Sequence, residues 1–185
     1  MKKGLIITGG IILVVVLSFV IFMGYLGMFS TLEPYEKVMG PYTFVYEDFT
    51  GPYKDTGPVF DKVYKGLEKD GIKTTRGIGI YYDNPSDVPA EKLRSKCGSI
   101  IEDDIDLKKL EKLKGKYKVM TIEKTQSVVV NFPIKNAMSY MVGPMKCYPA
   151  LMKYSKEKKL EMKNHAYELY DMPEKITYYI LPVVK

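Results

Sequence analysis

Residues 166–173 read Ala166-Tyr167-Glu168-Leu169-Tyr170-Asp171-Met172-Pro173, and their last four positions echo Tyr82-Asp83-Asn84-Pro85 in the first half of the chain. A second echo sets Gly57-Pro58 against Gly143-Pro144. The offsets are nearly equal, 88 residues for the Tyr-Asp-x-Pro turns and 86 for the Gly-Pro pairs. At an offset of 88, Val59, Phe60 and Val63 fall on Cys147, Tyr148 and Leu151. Turns and a helical stripe that recur at almost one spacing imply an internal duplication, with chance similarity of two short turns as the alternative.

The pattern of each half agrees. Pro41 to Phe49 alternates Tyr42, Phe44 and Tyr46 with other residues, as a half-buried strand does, and Gly51-Pro52 breaks it. Val59, Phe60, Val63, Tyr64 and Leu67 have helical spacing, and Asp70-Gly71 ends that helix. A strand over Thr75 to Tyr82 stops at Asp83-Asn84-Pro85, and a charged loop through Arg94 leads to a third strand near Gly98 to Ile101. A short connecting helix is expected over Asp106 to Lys114. The second half repeats the order: strands over Lys116–Ile122 and Ser127–Ile134, a helix over Met138–Tyr154, and closing strands over Ala166–Tyr170 and Ile176–Val183. Met141, Met145, Tyr148, Leu151 and Met152 are the candidate buried stripe of that helix; Pro144 and Pro149 blur where it starts. The expectation is an α+β domain of two duplicated strand–helix–strand–strand modules, about 41–105 and 116–185, with helices on one side of antiparallel sheet. The crevice between modules is the natural place for a small-molecule pocket.

Ahead of the domain, Met1-Lys2-Lys3 forms a basic N-terminus, and residues 4–29 carry no charge. Leu5 to Phe29 would rise about 37 Å at ~1.5 Å per residue, enough to cross a hydrocarbon core of roughly 30 Å. A signal peptide would have a shorter apolar region and a small-x-small cleavage site, which Met28-Phe29-Ser30 does not offer. The reading is therefore one transmembrane anchor at 4–29 with the lipid bilayer as partner, a linker at 30–40, and a domain at 41–185. Lys2 and Lys3 before the anchor, against Glu33, Glu36 and Lys37 after it, place the C-terminal domain outside the cytoplasm by the positive-inside rule.

Composition narrows the chemistry. The net charge of +6 falls to +4 without Lys2 and Lys3, and Arg76 and Arg94 are the only arginines. Bases and phosphates are read best by guanidinium forks, so no nucleic-acid partner is expected. The lysine runs at 108–118 and 153–163 are interleaved with Glu111, Glu157 and Glu161, which suits solvated helix faces; a lipid-headgroup patch is the alternative. His165 is the single histidine, and Cys97 and Cys147 are the only cysteines, so no metal site and no cofactor are expected. Whether the two cysteines pair stays open.

The run Tyr81-Tyr82-Asp83-Asn84-Pro85-x-x-Val88-Pro89-x-x-Lys92-x-Arg94, then Gly98-Ser99-Ile100, together with Tyr53-Lys54-Asp55-Thr56-Gly57, resembles a membrane-anchored branch of the GyrI-like small-molecule-binding family. The stretch from Ala166 to Asp171, with Pro173 and Tyr178 to Pro182, is similar to that family's closing motif. The resemblance covers roughly residues 41–183. It implies a pocket between modules in which Glu168 meets a polar or cationic ligand. It also implies an alternative, hydrolysis of strained small molecules with Glu168 as base and a tyrosine as acid. The recruiting function that an autophagy receptor of this branch carries in a long C-terminal tail is not implied, because this sequence stops at Lys185.

On the residues alone, Glu168 shares a strand face with Ala166 and Tyr170, while Tyr167 and Leu169 share the other. A carboxylate among apolar strand positions is costly to bury without a partner; an exposed strand face paired with lysine is the plainer reading. The 16 tyrosines, without any tryptophan, supply aromatic walls with hydroxyl handles. The candidate ligand-binding residues are Glu168, Tyr170, Tyr46, Tyr81 and Tyr178, with no firm catalytic residue beyond Glu168 if the protein is an enzyme. Met138, Met141 and Met145 are either helical core or adaptable pocket wall. Arg94 is expected to pair with Asp83 or Asp87, and His165 to lie at the surface at a strand start. The expected function is anchored binding of a small apolar or cationic molecule, with the hydrolase and an anchored protein-docking domain as alternatives.

Overall fold

The computed structural model describes residues 2–102 and 107–184. Met1, Asp106 at the expected start of the connecting helix, the end of the first module at 105, and Lys185 lie outside the described residues.

The element order is α1 (Lys2–Tyr25), β1 (Tyr35–Met39), β2 (Tyr42–Thr50), α2 (Gly57–Lys69), β3 (Arg76–Tyr81), β4 (Arg94–Ile100), α3 (Leu107–Lys116), β5 (Lys118–Ile122), β6 (Thr125–Pro133), α4 (Ser139–Glu157), β7 (Ala166–Asp171) and β8 (Ile176–Pro182). All eight strands form one antiparallel sheet in the order β1-β6-β8-β7-β3-β4-β2-β5. The order reads the same from either end once the halves are exchanged, so the duplication is visible in the topology. Each module is a strand, a helix and two strands, and β3 and β7 join the modules along a pseudo-twofold axis. The stretch 30–40, expected as a linker, contains β1, which completes the sheet by pairing with β6 as β5 pairs with β2.

Helices cover one face of the sheet. There α2 packs Val63 and Leu67 against Val45, while Val142, Cys147 and Leu151 of α4 pack against Val128, Val130 and Phe132. The opposite face closes on itself through Phe44, Ile78, Ile80, Val129, Leu169 and Ile180. Strands beneath the helices are thus covered on both faces, which is why the β2 neighbours Phe44 and Val45 are both buried, whereas β3 and β7 at the centre of the sheet lie under the gap between the helices.

Helix α4 differs from the sequence expectation. It runs unbroken through Pro144 and Pro149, and its buried stripe is Val142, Cys147 and Leu151. Met141, Met145 and Met152 are exposed instead. The rotation follows from Gly143, where a Cβ would stand 2.1 Å from Tyr179 Oη, so that only glycine lets the helix lie this close to β8.

Strand pairing also refines the internal match. β4 and β8 carry the same burial sequence over Ser95–Ile100 and Thr177–Pro182. Aligning them makes Tyr81, opposite Ser95, the counterpart of Tyr170, opposite Thr177. The Tyr82–Tyr170 echo is therefore one residue out. It aligns turns of unequal length, 82–93 in the first module and 172–175 in the second.

Candidate functional site

Between α2 and α4, above β3 and β7, lies a cleft of about 1890 Å³. Its floor is set by the pairing of Gly79 with Glu168, the residues that face each other at the pseudo-twofold axis. The two halves differ at this point. The first module has a glycine, and a Cβ there would meet Tyr81 Oη at 2.8 Å. Removing that side chain gives Tyr81 room to turn its ring toward Glu168. One carboxyl group, rather than two in repulsion, occupies the axis.

Glu168 is 5% exposed. Its Oε1 accepts a hydrogen bond from Tyr148 Oη at 2.8 Å, and its Oε2 accepts one from Tyr170 Oη at 2.8 Å. Tyr170 has one hydroxyl proton and gives it to Glu168, so at 3.0 Å Tyr81 Oη is the donor to Tyr170 Oη. The chain of donors runs from Tyr81 through Tyr170 to the carboxyl group. Aromatic rings hold it in place: Phe60 and Tyr140 each meet Tyr170 edge to face, at 5.4 and 5.7 Å between centroids. Tyr53 meets Tyr81 in the same way at 4.8 Å.

Among the described residues, no lysine, arginine or histidine forms an ion pair with Glu168. Burial pushes its pKa up to about 7, against the opposing pull of the Tyr170 and Tyr148 hydroxyls. Burial, and then the nearby Glu168 charge, holds the hydroxyls of Tyr81, Tyr148 and Tyr170 well above the ordinary tyrosine value. The tyrosines are therefore neutral donors throughout the physiological range; of the acids lining the cleft, Asp83 is paired with Arg94 and Asp61 with Lys65, while Glu168 carries the negative charge at its floor. Among the described residues no cluster of His, Cys, Asp or Glu is arranged to hold a metal.

Of the five candidate ligand residues, Glu168, Tyr170 and Tyr81 come together in the cleft. Tyr46 and Tyr178 pack on the other face of the sheet. There Lys96 sits 4.4 Å from the Tyr46 ring centroid, and Tyr178 Oη donates to Glu174 at 2.6 Å. They lie on that face because strand residues alternate, and the first-module counterpart of Tyr170 is Tyr81. Tyr148, whose spacing in the sequence suits the helical core, and Tyr53, Phe60 and Tyr140, which carry no site signal in the sequence, also line the cleft. The spacing of Met138, Met141, Met145, Tyr148 and Met152, a second apolar stripe on one helix, was the signal that α4 faces a cavity as well as the sheet.

The far wall is the β3–β4 connection. Arg94 pairs with Asp83 through two side-chain bonds, Nη2 to Oδ1 at 2.7 Å and Nε to Oδ2 at 3.0 Å, and Asp83 also accepts the Arg94 backbone N–H at 2.7 Å. Asp87 instead receives Asn84 Nδ2 at 2.8 Å. Tyr53 Oη accepts the Asp83 N–H at 3.0 Å and donates to its carbonyl at 2.9 Å, which fastens this wall to the start of α2. His165 is half-buried at the rim rather than fully at the surface, and burial lowers its pKa. Cys97 and Cys147 are free and buried.

No protein-family model matches the chain. It is 32% identical to human Testis-expressed protein 264 over 163 residues, which cover 82% of this chain and 49% of that protein. A shorter match of 52 residues, 38% identical, links it to the DNA gyrase inhibitor of Escherichia fergusonii, over 28% of this chain and 32% of the inhibitor. The chain spans about half the length of the testis-expressed relatives it matches. Its fold is shared with the EcmrR C-terminal domain, at a TM-score of 0.60 and 15% identity over 83% of this chain and 98% of that one. SAV2435, solved bound to tetraphenylphosphonium, shares it at a TM-score of 0.54 and 13% identity, over 82% and 94% of the two chains. At such identities the likeness is one of fold, and the α+β architecture is GyrI-like.

Proposed function

We propose that this chain is a membrane-anchored GyrI-like domain that binds a small apolar or cationic molecule in the cleft between its modules. Glu168 supplies the charge, Tyr170, Tyr81 and Tyr148 orient it, and the aromatic and methionine walls take up apolar surface. One observation carries this reading: a buried carboxyl group with hydroxyl partners, and no cationic partner among the described residues, stands at the foot of an open, apolar-walled cleft. A ligand cation completes what the fold leaves unpaired, and desolvation makes that attraction stronger than it would be in water. The tetraphenylphosphonium bound to SAV2435, a protein of the same fold, supports the choice of ligand class.

Residues 4–29 act as the anchor in this reading. Ile7–Tyr25 has a mean hydropathy of 2.6, and α1 is the one helix among the described residues long and apolar enough to cross a membrane. The basic N-terminus puts the domain on the extracytoplasmic side.

The second reading, hydrolysis, is favoured by one feature, a carboxyl group whose pKa of about 7 suits a general base. The tyrosines oppose it, because hydroxyls with raised pKa values are poor proton donors to a leaving group. The deciding experiment titrates the detergent-solubilised full chain with 4-phenylbutylammonium at pH 8 by calorimetry. Binding by the native chain should weaken by about 1–3 kcal/mol in Glu168→Gln, the scale of a lost charge-assisted hydrogen bond. Equal affinities would remove Glu168 from the site.

A further inference from the structure

The junction between α1 and the domain is built rather than loose. Leu26, just past the end of α1, is fully buried among Val128, Phe132 and Val142. Lys146 of α4 donates to the carbonyls of Gly27, at 2.8 Å, and Ser30. Lys135 donates to the Tyr25 carbonyl, and its ammonium lies 4.7 Å from the Tyr25 ring centroid. The last carbonyls of a helix lack partners and carry partial negative charge, so the Lys135 ammonium at Tyr25 caps the end of α1, while Lys146 holds the turn that follows it.

This clamp fixes which part of the cleft lies beside the departing helix. Lys135 stands two residues before Ala137 and five and six residues before Tyr140 and Met141, which line the cleft. The β7–β8 turn is tied to the same end: Ile134 N–H donates to the Lys175 carbonyl at 2.7 Å, and Tyr140 Oη reaches Met172 Sδ at 3.8 Å. At this corner Met138, Tyr140, Met141 and Met172 are 37%, 41%, 60% and 51% exposed. Lys135 and Lys175 flank them, and the one acid in the turn, Glu174, is engaged by Tyr178.

We propose that this corner of the rim rests on the bilayer surface, so that the cleft opens onto the membrane–water interface and receives its ligand there. The inference depends on the anchoring proposed above. Large apolar side chains flanked by an exposed lysine suit that boundary, where the apolar groups enter the headgroup layer and the Lys175 ammonium reaches phosphates. The methionines that enter the headgroup layer are continuous with the cleft wall, so an amphiphile passes from lipid to Glu168 along apolar surface.

The chain has no tryptophan, so a single one reports its own depth. The full chain carrying Met141→Trp is reconstituted in nanodiscs of phosphatidylcholine and phosphatidylserine, with and without bromine on the acyl chains. Emission should be lost with brominated lipid, whereas Glu91→Trp, at an exposed position on the β3–β4 connection, should keep its emission. Adding Lys135→Gln and Lys146→Gln should restore emission at Met141→Trp while the chain stays in the nanodisc. A nanodisc-bound chain whose Met141→Trp is unquenched, or whose two tryptophans are quenched alike, overturns the proposal and leaves the anchor standing. An emission shift that depends on protein concentration but not on bromine would mean a second copy covers the corner, and overturns it too. A chain that never enters nanodiscs defeats the anchor itself.

Discussion

At the scale of the residue, Glu168 decides most of the chemistry and leaves a signature in pH. Its folded-state pKa of about 7 lies above the ordinary 4.5 because burial penalises the charged form. The folded protein therefore holds this proton more tightly than the unfolded chain. The site is least costly below pH 4.5, becomes progressively more costly between pH 4.5 and 7, and is uniformly costly above 7. The shift corresponds to about 3 kcal/mol. Glu168→Gln should remove this slope, so denaturant titrations of native and variant chains should differ more at pH 8 than at pH 5, with the variant the more stable at pH 8. Parallel pH profiles would show that Glu168 is not buried in a protonatable state. The same group ties ligand to proton, and affinity for a cation should rise from pH 6 to pH 8 as Glu168 ionises. None of this was legible from the pattern Ala166 to Tyr170 alone, because alternation states which residues share a face and not whether that face is covered.

At the scale of the element, α4 shows how two demands share one helix. One stripe, Val142, Cys147 and Leu151, fills the space over β6 and β8, while a second, Met141, Met145, Tyr148 and Met152, walls the cleft. Gly143 makes the arrangement possible by letting Tyr179 approach. Gly143→Ala should destabilise the fold by about 1–3 kcal/mol through overpacking, although alanine is the better helix former. The effect should appear as a lower denaturation midpoint, and an unchanged or higher one would mean α4 lies farther from the sheet. From sequence the helix and its extent were nearly right; its rotation was not. Hydrophobic spacing identifies stripes, but only the close approach at a glycine selects the one that goes inward. The short strand β1 was missed for a related reason: Tyr35–Met39 is charged and half-exposed, and it forms because β6 offers an open edge.

At the scale of the whole molecule, one axis and one clamp organise everything else. Exchange of the two modules maps the sheet order onto itself, and the cleft sits on the axis where they meet. If α1 spans a bilayer, the full chain should remain in the membrane pellet after carbonate extraction with its N-terminal residues intact. Protease added to sealed spheroplasts should then reach the domain. A soluble mature chain beginning near Ser30 would mark a cleaved signal, and a protected domain would reverse the topology.

The sequence by itself determined the duplicated α+β architecture, the apolar N-terminal helix, and the face that Glu168 shares with Tyr170. These follow from periodicity, turn residues and an uncharged run, which are properties of neighbours along the chain. Only the tertiary structure decided that Tyr81 rather than Tyr46 or Tyr178 connects to Glu168 through Tyr170, that Tyr148 reaches the carboxyl group from α4, and that Lys135 holds the end of α1 and Lys146 the turn after it. Each of those contacts joins residues from different elements, and its existence depends on strand register, helix rotation and the unequal lengths of two turns. Local pattern does not encode these quantities; the packing of the whole chain sets them together.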